Sequence, residues 1–137
     1  MLARLIYRSM SRGPSAGDVE SILRASRRNN REIGITGALC HFQRNYMQYL
    51  EGDEAAIECV MANIAEDPRH ANLTVLEYRF IAARAFPRWS MALLVWDEQV
   101  REVLGSLADM GLNGIQPSEA APVFRALTRT PQWVSLH

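Results

Sequence analysis

The sequence contains no lysine, only two cysteines, no formal net charge and no long hydrophobic run. Each shortage excludes something. With 15 basic residues against 15 acidic ones there is no excess positive field to release counterions, which argues against a generic electrostatic nucleic-acid binder. Every basic residue is arginine, a usage that codon bias explains more simply than selection for bidentate anion contacts. Arg4 and Arg8 interrupt the first apolar stretch, and no segment approaches the ~20 apolar residues that span a bilayer. No membrane span is expected, and the chain reads as cytoplasmic. Cys40 and Cys59 are too few for a disulfide framework, lack CxxC spacing and are expected as thiols. Cys40 and His41 are neighbours on a strand pattern, so their side chains leave opposite faces and cannot share a metal ion. Phosphate-cradling GxGxxG and GxxxxGK[ST] loops are missing as well.

What is present suffices for one folded domain. The chain has 137 residues, 48% of them hydrophobic, enough for a single core and too few to expect two. Arg4 to Ser9 alternates as a strand and gives way to the turn signal Gly13-Pro14. Ser15 and Asp18 open an amphipathic helix with Val19, Ile22, Leu23 and Ser26 on one stripe. Ile35–Phe42 reads as a strand, Arg44-Asn45 as a tight turn, and Tyr46–Leu50 as its hairpin partner. Gly52-Asp53 caps a second helix carrying Ile57, Val60, Met61 and Ile64, which Asp67-Pro68 ends. Thr74–Ile81 and Ser90–Trp96 supply two more strands, after which strand signals stop. Val100 to Leu107 and Ala120 to Leu127 read as helices.

Two singly striped helices need one sheet face to cover. The expected fold is therefore α+β: a ferredoxin-like βαββαβ sandwich with an added fifth strand, two helices on one sheet face and a C-terminal helical tail. Residues 1–97 would form the domain proper and residues 98–137 a helical cap or tail.

Three polar residues stand where this pattern should bury hydrophobes. Tyr7 and Gln48 alternate with Leu5 and Leu50 and so face the core, and Asn30 closes the first helix before Gly34-Ile35-Thr36-Gly37. A buried amide or phenol without a partner costs about 1–3 kcal/mol. Their convergence points to a polar, planar ligand.

Taken together, Leu5-Ile6-Tyr7-Arg8-Ser9, Asn29-Asn30 before Gly34-Ile35-Thr36-Gly37, Gln48-Tyr49-Leu50-Glu51-Gly52, Asp67-Pro68-Arg69-His70 and Phe86-Pro87-Arg88-Trp89-Ser90-Met91 resemble the BLUF family, blue-light sensors that use FAD. The resemblance covers about residues 3–96, with mild departures at Ala38 and Met47. It implies a ferredoxin-like fold and a non-covalently bound flavin, FAD by family, although the residues alone leave FMN open. It implies that Ile22 and Ile64 flank the ring, and that Asn30 pairs with the N3-H and C4=O edge with Asn29 near C2=O. His70 would contact the ring, Arg69 would pair with phosphate, and Asp67 would lie beside them. Tyr7, a phenol that is protonated below about pH 10, would give up an electron and a proton in the light. Gln48 would then flip or tautomerise its amide, strengthening the bond to C4=O and shifting absorption to the red. Ser9, Trp89 and Met91 would neighbour this switch, with Trp89 and Met91 carrying the signal to the fifth strand and the C-terminal helices. No net turnover follows, so the chain is expected to be a photoreceptor and not an enzyme. Its output would pass to a separate protein in trans, through changed partner contact or self-association as a homo-oligomer, with no nucleic-acid or membrane partner. A flavin-dependent redox enzyme and a light-blind ferredoxin-like interaction module are the alternatives.

Overall fold

A computed structural model of the chain describes residues 1–11, 28–42, 45–66, 70–87, 91–94 and 133–136, together with positions 102 and 122. Strands β1 (Leu2–Ser11), β2 (Thr36–Phe42), β3 (Asn45–Asp53), β4 (His70–Phe80), β5 (Met91–Leu94) and β6 (Trp133–Leu136) form one sheet in the order β4-β1-β3-β2-β5-β6. Helix α1 is described over residues 28–33, and α2 is Glu54–Glu66. The first four strands pair antiparallel in ferredoxin-like order, and β5 adds beside β2 in parallel. The expected sandwich with its fifth strand is what the chain forms.

The tail corrects one expectation. Positions 102 and 122 are helical, but Trp133–Leu136 returns as a sixth strand, antiparallel to β5 through Leu94↔Trp133 and Met91↔Leu136. The free edge of β5 presents backbone donors and acceptors, and a four-residue Trp-Val-Ser-Leu segment can satisfy them although it is too short to announce a strand by pattern. The remainder of the two expected tail helices lies outside the described residues.

Both helix boundaries near the site are set by local chemistry. Helix α1 runs to residue 33, one turn beyond the expected close at Asn30. Gly34 adopts φ +73°, and the Ile35 N–H returns 2.9 Å to the Asn30 carbonyl. That six-residue closure with a left-handed glycine is a Schellman cap. Helix α2 starts where Asp53 Oδ2 accepts the Ala55 N–H at 3.3 Å, an N-cap bond. Its Ile57 is fully buried, and Val60, Met61 and Ile64 pack beside it against Ala3, Leu5, Tyr7, Leu39 and Leu50 of the sheet.

Strand β3 is the centre of the molecule. Asn45 to Gly52 are all buried, so both of its faces lie in the interior. By alternation Tyr46, Gln48 and Leu50 face α2, whereas Met47, Tyr49 and Glu51 face the other side. A strand buried on both faces ordinarily carries apolar residues throughout. This one holds two fully interior polar side chains of the kind that cost most, Gln48 at 2% exposure and Glu51 at 0%. They point to opposite faces.

Candidate functional site

The β1–β3 ladder sets Leu5 opposite Leu50 and Tyr7 directly opposite Gln48. Both side chains stand on the α2 face, and Tyr7 Oη donates a short hydrogen bond to Gln48 Oε1. Gln48 in turn lies opposite Leu39 of β2, which pairs in parallel with Leu93 of β5. Two residues before Leu93 on the same face, Met91 is fully buried, and Gln48 Nε2 donates to its Sδ at 3.3 Å. One amide thus joins three strands: β1 through Tyr7, its own β3, and β5 through Met91.

Beside Tyr7 the β1–β4 ladder is irregular. Ile6 pairs with Glu77 but Tyr7 with Val75, so Leu76 is an extra residue in β4, and a second shift falls between Arg8 and Met10. Bulges bend a strand and re-aim its neighbours, and these two bracket the segment that carries Tyr7 and Ser9. Ser9 is buried at 2% exposure, opposite Tyr46.

Asn30 is buried at 2% exposure in the last turns of α1, and its neighbour Asn29 is exposed. A helix turns about 100° per residue, so the pair cannot face the same surroundings. The cap is made by Gly34 and by the Asn30 main-chain carbonyl. Ile64 is half-buried against the core. His70 is the first residue of β4, paired with Ser11. Ile22, Asp67, Arg69 and Trp89 lie outside the described residues.

These groups suit a flat heteroaromatic ring with one polar edge. Gln48 gives one N–H to a thioether sulfur, a weak acceptor, and has a second N–H to offer. Asn30 supplies a buried amide that can both donate and accept, and the apolar surroundings come from Ile57, Ile64, Leu39 and Leu50. The donor set fits a flavin. It does not suit a metal, since no group of three or more potential ligands occurs among the described residues.

Sequence reasoning missed a second polar cluster, on the opposite face of β3. Glu51 Oε2 accepts the Ala85 N–H at 2.8 Å, and Oε1 accepts the Phe86 N–H and, at 3.3 Å, the Thr36 hydroxyl. Arg84 Nη1 donates to Thr36 Oγ1 at 2.8 Å and to the Glu51 main-chain carbonyl at 3.1 Å. Phe86 is buried and meets the Tyr49 ring edge-on at 4.9 Å. The available signal was a carboxylate in phase with Met47 and Tyr49 on a strand pattern. Nothing in the sequence marked Arg84. On the same face, burial pushes the Cys40 thiol up to about 12.

The fold and these buried amides define a class: a small ferredoxin-like domain that encloses a flat chromophore or cofactor between its sheet and helices. Comparison with known proteins gives the family. The family model for sensors of blue-light using FAD, BLUF, matches residues 2–92. The blue light- and temperature-regulated antirepressor BluF of Escherichia coli K12 is 32% identical over 120 residues, 85% of this chain and 29% of that protein. The photoactivated adenylate cyclase subunit beta of Euglena gracilis is 31% identical over 114 residues, 78% of this chain and 13% of that protein. The dark-state structure of BlrB, a BLUF protein, superposes with a TM-score of 0.79 at 32% identity, covering 93% of this chain and 94% of BlrB. The chain belongs to the BLUF family of blue-light flavin sensors. It spans less than a third of the length of either curated relative.

Proposed function

We propose that this chain is a blue-light photoreceptor module that holds FAD non-covalently, switches through Tyr7 and Gln48, and passes the change through β5 to a separate protein in trans. A bound flavin supplies absorption of blue light and, once excited, a strong oxidant. The chain's own residues supply the rest. The observation that carries the reading is the buried relay from Tyr7 Oη to Gln48 Oε1 and from Gln48 Nε2 to Met91 Sδ.

Tyr7 is the electron and proton donor: its hydroxyl is buried and donates a hydrogen bond to Gln48 Oε1, so its proton points at the amide that must rearrange. While that proton is in place, the phenol fixes which end of the amide points towards β1. Removing it withdraws the Tyr7 donor from Oε1, and the amide can then turn over or tautomerise. A flip puts the amide oxygen in place of the N–H at the Met91 end, and tautomerisation takes one proton from that nitrogen, so β5 senses either change. Asn30 would hold the polar edge of a bound flavin, Ile64 would supply apolar contact, and Asn29 would lie at the exposed side. Ile22, Asp67, Arg69 and His70 complete the cofactor contacts, Ser9 neighbours Tyr7, and Trp89 shares the β5 route with Met91. The electron and proton return to Tyr7 once Gln48 has rearranged, so no net redox change remains and there is no turnover; darkness then restores the amide.

The antirepressor and cyclase relatives join such a domain to further chain, which supports an output carried by a partner or by changed self-association. Purified protein should be yellow, shift its absorption to the red under blue light, and recover in darkness. Chromatography of the released flavin should give FAD. Colourless protein would leave an interaction module, and bleaching by NADPH without a light shift would leave a redox enzyme.

A further inference from the structure

Strand β3 holds both ends of the segment that leads into β5. On one face Glu51, Thr36 and Arg84 grip residues 84–86, and Tyr49 packs against Phe86. On the other face, three residues along the same strand, Gln48 holds Met91. Only residues 87–90 separate the two attachments. Residues 84–86 and Met91 are thus held from opposite faces of one sheet, close together in the chain.

Glu51 is an unusual choice for the grip. A fully buried carboxylate needs charge-assisted hydrogen bonds to offset its desolvation. Both of its oxygens act as acceptors, for two backbone N–H groups and one hydroxyl. Apolar packing of Phe86 alone could hold a loop, but it would let the backbone slide. Two adjacent amides on one carboxylate fix its register.

We propose that Glu51, braced by Thr36 and Arg84, is a positioning residue of the light switch that sets the register of the segment entering β5 and thereby the contact between Met91 and Gln48. This rests on the photoreceptor reading above and adds residues on the far side of the sheet to it.

Glu51→Gln tests it. Glutamine is isosteric but has one acceptor oxygen, so its NH2 must face a backbone N–H. Hydrogen exchange of the Ala85 and Phe86 amides should accelerate at least tenfold in the dark, a readout that needs no light response. The dark recovery of the light-shifted spectrum should change at least fivefold, and by less than twofold when Met91 is already leucine. Unchanged amide exchange overturns the proposal. So does recovery within twofold of the parent, or the same fold-change in the Met91→Leu background, which is what a merely structural Glu51 gives. Should Glu51→Gln fail to accumulate folded, Arg84→Met removes the bonds to Thr36 and to the Glu51 carbonyl from a half-buried site and carries the same three measurements. A parent protein that binds flavin but shows no light shift overturns the photoreceptor reading, and with it the coupling to Met91. Amide exchange separately reports whether Glu51 holds the segment.

Discussion

Tyr7 and Gln48 are directly opposed residues of the β1–β3 ladder, and their side chains are hydrogen-bonded Oη to Oε1 in the interior. Neither group needs a loop or a mobile element to find the other. The geometry is fixed by strand register, so a one-residue slip would send Gln48 to the opposite face.

That opposition makes the two residues energetically coupled. Tyr7→Phe leaves Gln48 Oε1 buried without its donor, and Gln48→Leu leaves the phenol without its acceptor, each costing about 1–3 kcal/mol. The double variant should cost less than the sum, because removing both partners leaves nothing unsatisfied. Denaturant titration of the four proteins checks this. Both single variants should retain flavin and lose the normal red shift in light-minus-dark spectra.

The two glycines that flank Ile35-Thr36 do different work. A Cβ on Gly37 would lie 1.9 Å from the Tyr49 carbonyl oxygen, a collision between two strand backbones. Gly37→Ala should cost about 3 kcal/mol or more, or prevent folding. At Gly34 a Cβ meets nothing nearer than Arg84 Nη2 at 4.0 Å, so the penalty is only that of a left-handed alanine, about 1–2 kcal/mol. Gly34→Asn should recover part of it, as seen by thermal unfolding.

The two thiols should differ sharply. Cys59 is exposed on α2, whereas Cys40 is buried with its thiol pushed up to about 12. At pH 8 a thiol of that kind is ionised on the order of one part in 10⁴. A thiol reagent should therefore modify one cysteine quickly in the native protein and the second only on unfolding. The sign for stability follows. The unfolded chain ionises Cys40 first, near its ordinary value of 9.0, so the folded state loses stability as pH rises from there towards about 12. Cys40→Ala should flatten that alkaline slope.

Arg4 and Glu77 tie β1 to β4 from a largely buried position, through Arg4 Nε to Glu77 Oε1 at 2.6 Å and a second contact from Nη2. The guanidinium also lies 5.8 Å from the Tyr49 ring centroid. Glu77→Leu should cost about 1–3 kcal/mol, because it strands a partly desolvated cation. Arg4→Met with Glu77→Leu should recover much of that loss in a double-mutant cycle.

Gly34-Ile35-Thr36-Gly37 was legible as a motif but not as a mechanism. The tertiary structure divides it into a helix stop, a core anchor, a Glu51 ligand and a close strand crossing. Likewise Gln48 could be read as a core amide from alternation with Leu50, whereas its bond to Met91 could not, because it spans 43 residues of sequence. Arg84 carried no signal at all. Its two bonds exist only because β2 and β3 pair beside the loop.

The sequence by itself determined the order of the first five strands and two helices and the presence of Tyr7, Asn30 and Gln48 on buried faces. Those are consequences of local periodicity, and the placement of helix α2 follows from its single apolar stripe. Only the tertiary structure decided which polar groups meet, that Met91 is the far partner of Gln48, that Glu51 clamps the approach to β5, and that the tail returns as β6. Each of these is a contact between segments remote in the chain. It is set by strand register and by the need of buried donors and acceptors to be paired, which no window of sequence contains.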